Sequence, residues 1–129
     1  MTEQPLKILY LEDDTSLSEL AMIGLSAHPR MDVLHCGSGK EAIAASVSYQ
    51  PQLCLFDVML PEMDGYEVLR RLRADNRTTA LPVLMLTAKG QREDRETAIA
   101  CGADMFITKP FVNSELIAAV QELAAGEPA

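Results

Sequence analysis

Basic residues are scarce in this chain: 11 Lys and Arg stand against 19 Asp and Glu, a formal net charge of -8 over 129 residues. General nucleic-acid binding and attachment to an anionic membrane both need clustered positive charge, so neither is expected of it. Cysteine is scarce too. Cys36, Cys54 and Cys101 are odd in number and lack the paired spacing of a zinc site, which argues against a disulfide framework or a zinc module. They read as free thiols in a reducing cytoplasm. No window approaches the roughly 20 apolar residues that cross a bilayer, and no apolar stretch follows a basic N-terminal segment. A cytoplasmic protein is therefore expected. Repeats and low-complexity segments are lacking as well.

What the chain has is enough apolar content, 48% with 23% charged, to bury a core without staples. One domain over 1–125 is expected, with 126–129 as a tail or the start of a linker. Short apolar runs alternate with segments of helical periodicity. Strands are expected at Lys7 to Leu11, Met31 to Cys36, Leu53 to Phe56, Pro82 to Leu86 and Met105 to Thr108. Helices should follow each strand: the first opened by Ser16 with Glu19, with Leu17, Leu20, Ala21, Gly24 and Leu25 on its buried face. Ser38 with Glu41 and Asp64 with Glu67 should open the second and third. Gly102 suits the end of the fourth helix, and Asn113 suits the cap of the fifth, whose buried side would carry Leu116, Ile117, Val120, Leu123 and Ala124. Arg70, Arg71 and Arg73 read as a solvated face of the third helix. Strands alternating with helices predict an α/β fold with a parallel sheet covered on both sides.

All strand C-termini of such a sheet lie at one edge, where ligands bind in open α/β folds. Glu12 and Asp13 follow the first strand, Asp57 the third, Thr87 the fourth and Lys109 the fifth. Each alone has an ordinary explanation: Asp57 as a strand end, Asp13 or Asp14 as a helix cap, Thr87 as a turn former, Lys109 as a surface charge. Together they are three carboxylates, a hydroxyl and an ammonium. Crowded carboxylates favour a hard divalent cation, and magnesium suits them. An ion, an ammonium and a hydroxyl around one carboxylate are the parts for holding a phosphoryl group in transfer, with Asp57 as nucleophile.

These residues resemble the receiver domains of two-component response regulators, over nearly the whole chain from Lys7 to about Ala124. The motifs are Glu12-Asp13, Asp57-Val-Met-Leu-Pro-Glu-Met-Asp-Gly65, Thr87-Ala88 and Lys109-Pro110-Phe111. The resemblance implies a flavodoxin-like, doubly wound five-stranded parallel sheet in the order 2-1-3-4-5 with five helices. It implies Asp57 as phosphoacceptor, with Mg2+, or Mn2+ in its place, held by Glu12, Asp13, Asp57 and the backbone carbonyl of Met59. Thr87, Ala88 and Lys109 would bind the phosphoryl group, Thr87 and Phe106 would form the switch pair, and the Lys109-Pro110 bond would be cis. The implied partners are a sensor histidine kinase or histidine phosphotransfer protein, and an effector downstream. No direct nucleic-acid or membrane contact by this domain is implied, and phosphorylation-dependent dimerisation is left open. Such a domain is a switch, not an enzyme on other substrates.

Glu12 stands where Asp is commoner in that family, a longer ligand arm. Met59 and Lys89 occupy the positions that tune hydrolysis there, and neither can orient a water as a carboxylate or amide would, so slow self-dephosphorylation is expected. The end of the fifth helix, Gln121-Glu122, lacks the basic residues of one dimerising, DNA-binding class of the family. The competing reading is a dinucleotide- or flavin-binding module using Gly37-x-Gly39-x-x-Ala42, with Asp57 about 20 residues on. It leaves Glu12, Asp13, Thr87 and Lys109 without roles. A phosphate-binding loop fails at Leu34 and Glu41, and an aspartyl phosphatase would carry an Asp where Met59 stands.

Overall fold

The computed structural model describes residues 5–60, 62–87, 92–108 and 111–125. Among them, strands and helices alternate as β1 (Leu6–Leu11), α1 (Thr15–Ser26), β2 (Met31–Cys36), α2 (Gly39–Ser48), β3 (Leu53–Asp57), α3 (Gly65–Ala74), β4 (Val83–Thr87), α4 (Arg92–Ala100), β5 (Met105–Thr108) and α5 (Asn113–Ala125). The sheet is parallel throughout, in the order β2-β1-β3-β4-β5. β3 and β4 are buried at every position, as strands covered on both faces must be.

Side-chain alternation along the strands divides the core in two. Leu9, Leu11, Cys54 and Phe56 pack with Ala42 and Ala45 of α2 and with Val68, Leu69 and Leu72 of α3. Ile8, Tyr10, Leu53 and Leu55 pack with Ala21 and Leu25 of α1 and with Leu116 and Val120 of α5. Cys36, Cys54 and Cys101 are free thiols, and burial pushes Cys36 and Cys54 up in pKa, which makes them poor nucleophiles.

The helix ends agree with the sequence in three places. Ser38 Oγ accepts from the Glu41 N–H at 3.2 Å, and Asp64 Oδ1 accepts from the Glu67 N–H at 3.0 Å. Gly102 has φ +100, and the Gly102 and Ala103 N–H groups donate back to Ile99 and Ala98, the two bonds of a Schellman cap. Two caps are displaced by one residue or more. α1 begins at Thr15, with the Ser18 N–H on the Asp14 carbonyl, so Ser16 lies inside the first turn. α5 already includes Asn113; the Leu116 N–H bonds to the Val112 carbonyl, and the Val112 N–H is taken by Glu115 Oε1 at 3.1 Å. Asn113 instead reaches across to the Leu20 carbonyl of α1.

Leu20 is a further correction. It is 62% exposed, because the face set by Ala21 and Leu25 brings Ser18 inward and turns Leu20 out. Ala124 is exposed as well. Arg73 is the third: it is no solvated face residue. Its guanidinium donates to the carbonyls of Gly102 at 2.8 Å, Leu81 at 2.7 Å and Thr79 at 3.2 Å, and pairs with Asp104 at 3.0 Å. It thereby ties the end of α3 to the entries of β4 and β5.

Candidate functional site

The order 2-1-3-4-5 reverses direction between β1 and β3: α1, which follows β1, lies on one face of the sheet, and α3, which follows β3, on the other. The loops therefore diverge and leave a crevice at the carboxyl ends of these two strands. Glu12 and Asp57 are each only 2% exposed there, while Asp13 is exposed. One carboxylate oxygen from each of Glu12, Asp13 and Asp57 lies within 4.8 Å of the others. The three acids predicted to meet do meet. Beneath them the buried phenol of Tyr10 is held well above its ordinary pKa, first by burial and then by the charges of Glu12, Asp57 and Asp14. Three hard oxygen donors converging on one point are a donor set for magnesium or manganese.

Backbone hydrogen bonds set the positions of these acids. The Glu12 N–H extends the β1–β2 ladder to the Cys36 carbonyl at 3.1 Å, and Glu12 Oε2 accepts the Asp14 N–H at 3.2 Å. After Asp57, the Val58 N–H bonds to the Leu86 carbonyl, and the Gly65 N–H returns to the Val58 carbonyl at 3.1 Å. A Cβ on Gly65 would collide with the Asp57 carbonyl oxygen, so the glycine is required for α3 to start against the strand end. Met59 is 71% exposed and sends its side chain out of this loop.

Thr87 ends β4, fully buried, opposite Thr108 of β5; its hydroxyl faces the Ile107 carbonyl at 3.5 Å. Phe106 is half-buried against the α2–α3 side of the core. Ala88, Lys89, Lys109 and Pro110 lie outside the described residues, as do the expectations placed on them. Gly39, by contrast, is spent on packing: a Cβ there would come within 2.8 Å of Val68 Cγ2 on α3 and 3.2 Å of Met63 Sδ. This gives Gly39 a helix-packing role, and the edge position of β2 sets the glycines apart from the switch point where a dinucleotide would be expected.

Sequence reasoning passed over two residues near the site. His35, on β2, places Nε2 2.7 Å from the Glu12 carbonyl oxygen, and its ring packs on Tyr10. The signal available was a polar residue near the end of a strand, the same signal that drew attention to Asp57. Tyr10 was read only as part of an apolar run.

Fold and site together define a doubly wound α/β domain with an acidic crevice at its switch point. Residues 8–121 match the family model of the response regulator receiver domain, and the chain belongs to that family, a signalling domain of two-component systems. It is 43% identical over 117 residues to the DNA-binding dual master transcriptional regulator RpaA of Synechocystis sp., covering 91% of this chain and 48% of that protein. The chain thus spans about half the length of the curated relatives it matches. Among solved structures it is similar to the signal receiver domain of a signal transduction histidine kinase from Syntrophus aciditrophicus, with TM-score 0.83 and 31% identity over 95% of this chain and 96% of that one. It is also similar to the chemotaxis protein CheY4 of Vibrio cholerae, with TM-score 0.86 and 26% identity over 92% of this chain and 98% of that one. Among the described residues no helix is long and apolar enough to cross a membrane.

Proposed function

We propose that Asp57 accepts a phosphoryl group from the phosphohistidine of a sensor kinase or phosphotransfer protein. The carboxylate oxygen of Asp57 attacks phosphorus, the P–N bond of the donor breaks, and its electron pair stays on the donor's ring, which leaves as neutral imidazole because its other nitrogen already carries a proton. The observation that carries this reading is the approach of the Glu12, Asp13 and Asp57 oxygens to within 4.8 Å at the switch point. Glu12, Asp13, Asp57 and the Met59 carbonyl would hold Mg2+, which, when bound, neutralises charge on the phosphoryl oxygens. Lys109, which follows β5 in the sequence, would pair with those oxygens, and the Ala88 N–H would donate to one of them. Thr87 turns from the Ile107 carbonyl toward the group, Phe106 follows inward, and the α4–β5–α5 surface changes for a cytoplasmic effector. The printed name of the Synechocystis relative includes DNA binding. This chain covers 48% of that protein, and any DNA contact is proposed for a downstream effector domain or protein rather than for the receiver domain itself.

Incubation with a small phosphodonor and magnesium, followed by intact mass measurement, should show one added phosphoryl group on the wild type and none on Asp57→Asn. Equal labelling of the two would overturn the assignment. With Met59 turned outward and offering no carboxylate or amide, the phosphorylated form should persist for minutes or longer after donor removal; decay within seconds would contradict that role for Met59 and Lys89.

A further inference from the structure

We propose that His35 is a positioning residue for the metal centre, holding the loop after β1 so that Glu12 and Asp13 present their carboxylates together; this rests on reading the acidic cluster as a magnesium site. His35 Nε2 lies 2.7 Å from the Glu12 carbonyl oxygen. A carbonyl oxygen only accepts, so Nε2 carries the proton and donates. The bond occupies a defined gap in the sheet. Glu12 N–H donates to the Cys36 carbonyl, the last rung between β1 and β2. In a continuing parallel ladder the next donor, to the Glu12 carbonyl, would be the N–H of residue 38. Ser38 is instead the N-cap of α2, where the chain turns away from the strand direction. The His35 side chain supplies the donor that the backbone no longer can.

The peptide plane between Glu12 and Asp13 contains the Glu12 carbonyl, so one bond orients the backbone of both acids. Packing holds the donor in turn: the His35 ring lies 5.5 Å from the Tyr10 ring, its partner in register across β1 and β2. The longer side chain of Glu12 makes this anchoring matter more, because each added torsion increases the freedom that a fixed backbone must offset.

Calorimetric titration with magnesium chloride tests the assignment without any activity readout. His35→Phe keeps a ring against Tyr10 and removes the donor; His35→Gln restores an N–H at similar reach. Affinity should fall about 3- to 10-fold in the Phe variant, the scale of one lost hydrogen bond, and return to within about twofold of wild type in the Gln variant. A Phe variant that melts at lower temperature yet binds magnesium like the wild type would overturn the proposal, leaving His35 a merely structural residue. His35→Leu serves as the donor-free variant if the Phe chain does not fold. Asp13→Asn separates the two levels: if it binds magnesium as the wild type does, the cluster is not the metal site, and the His35 proposal falls with it.

Discussion

Arg73 and Asp57 stand at opposite ends of one sheet, and the charges around them are handled in opposite ways. At the amino ends of β4 and β5 a single guanidinium meets three backbone carbonyls and the Asp104 carboxylate, whose Oδ2 also takes the Val83 N–H at 2.9 Å. Donor and acceptor geometry agree there, and the arrangement is complete without any ligand. At the carboxyl ends of β1 and β3, charges of one sign are brought within 4.8 Å of each other, two of them on buried side chains. Like charges at that distance repel, and a bound cation would offset that repulsion. One end of the sheet therefore serves stability, and the other is the proposed site, whose energy would fall on binding a cation.

Substitutions that remove one charge from each end should separate these roles. Arg73→Ala leaves several carbonyls and Asp104 without their donor and should cost about 2–3 kcal/mol, lowering the melting temperature by about 10 °C. Magnesium affinity measured by calorimetry should stay as in the wild type. A melting temperature unchanged by the substitution would break the comparison at its stable end. Asp13→Asn should do the reverse: magnesium binds about tenfold more weakly, about 1.4 kcal/mol, while the metal-free chain melts at the same or a slightly higher temperature. A large loss of stability in that variant would show the acids to be structural.

The smallest effect concerns an exposed pair outside both regions. Arg77 clasps Asp75 through two bonds of 3.1 and 2.8 Å and, chiefly through its side-chain hydrogen bonds, holds that carboxyl down to about 2. A depressed carboxyl stabilises the fold above its unfolded pKa, and that contribution is lost as pH falls through the folded value. Arg77→Ala should raise the Asp75 pKa, read by NMR titration, and leave the melting temperature at pH 7 almost unmoved. Failure of Asp75 to shift would mean that the pair is not formed in solution.

The acids of the site were legible because each ends an apolar run: Leu11 gives way to Glu12, and Phe56 to Asp57. An interruption of that kind is visible in one dimension. The strand order was legible through family resemblance more than through pattern, since buried strands have no polar face to distinguish centre from edge. Arg73 and His35 were misread or passed over for a shared reason. Their partners are backbone carbonyls distant in sequence, and a carbonyl leaves no mark on residue identity. Ser16 and Asn113 were misplaced because capping signals tolerate a shift of a residue or two when several polar residues adjoin, as Asp13 to Ser16 do. Leu20 was assigned inward because the helical repeat admits two overlapping faces, and only packing against the sheet and α5 chooses between them.

The closure after Asp57 has an evolutionary consequence. The Val58 carbonyl and the Gly65 N–H are joined, and Gly65 abuts the Asp57 carbonyl, so the length of this loop is fixed at both ends by backbone alone. Insertions and deletions are costly there. Among the described residues of the loop, Met59, Glu62 and Asp64 are exposed. Under the proposed role of Met59, variation at this exposed position would retime the signal without disturbing the backbone that closes the loop, so that the duration of the switched state and the integrity of the domain would be separately adjustable.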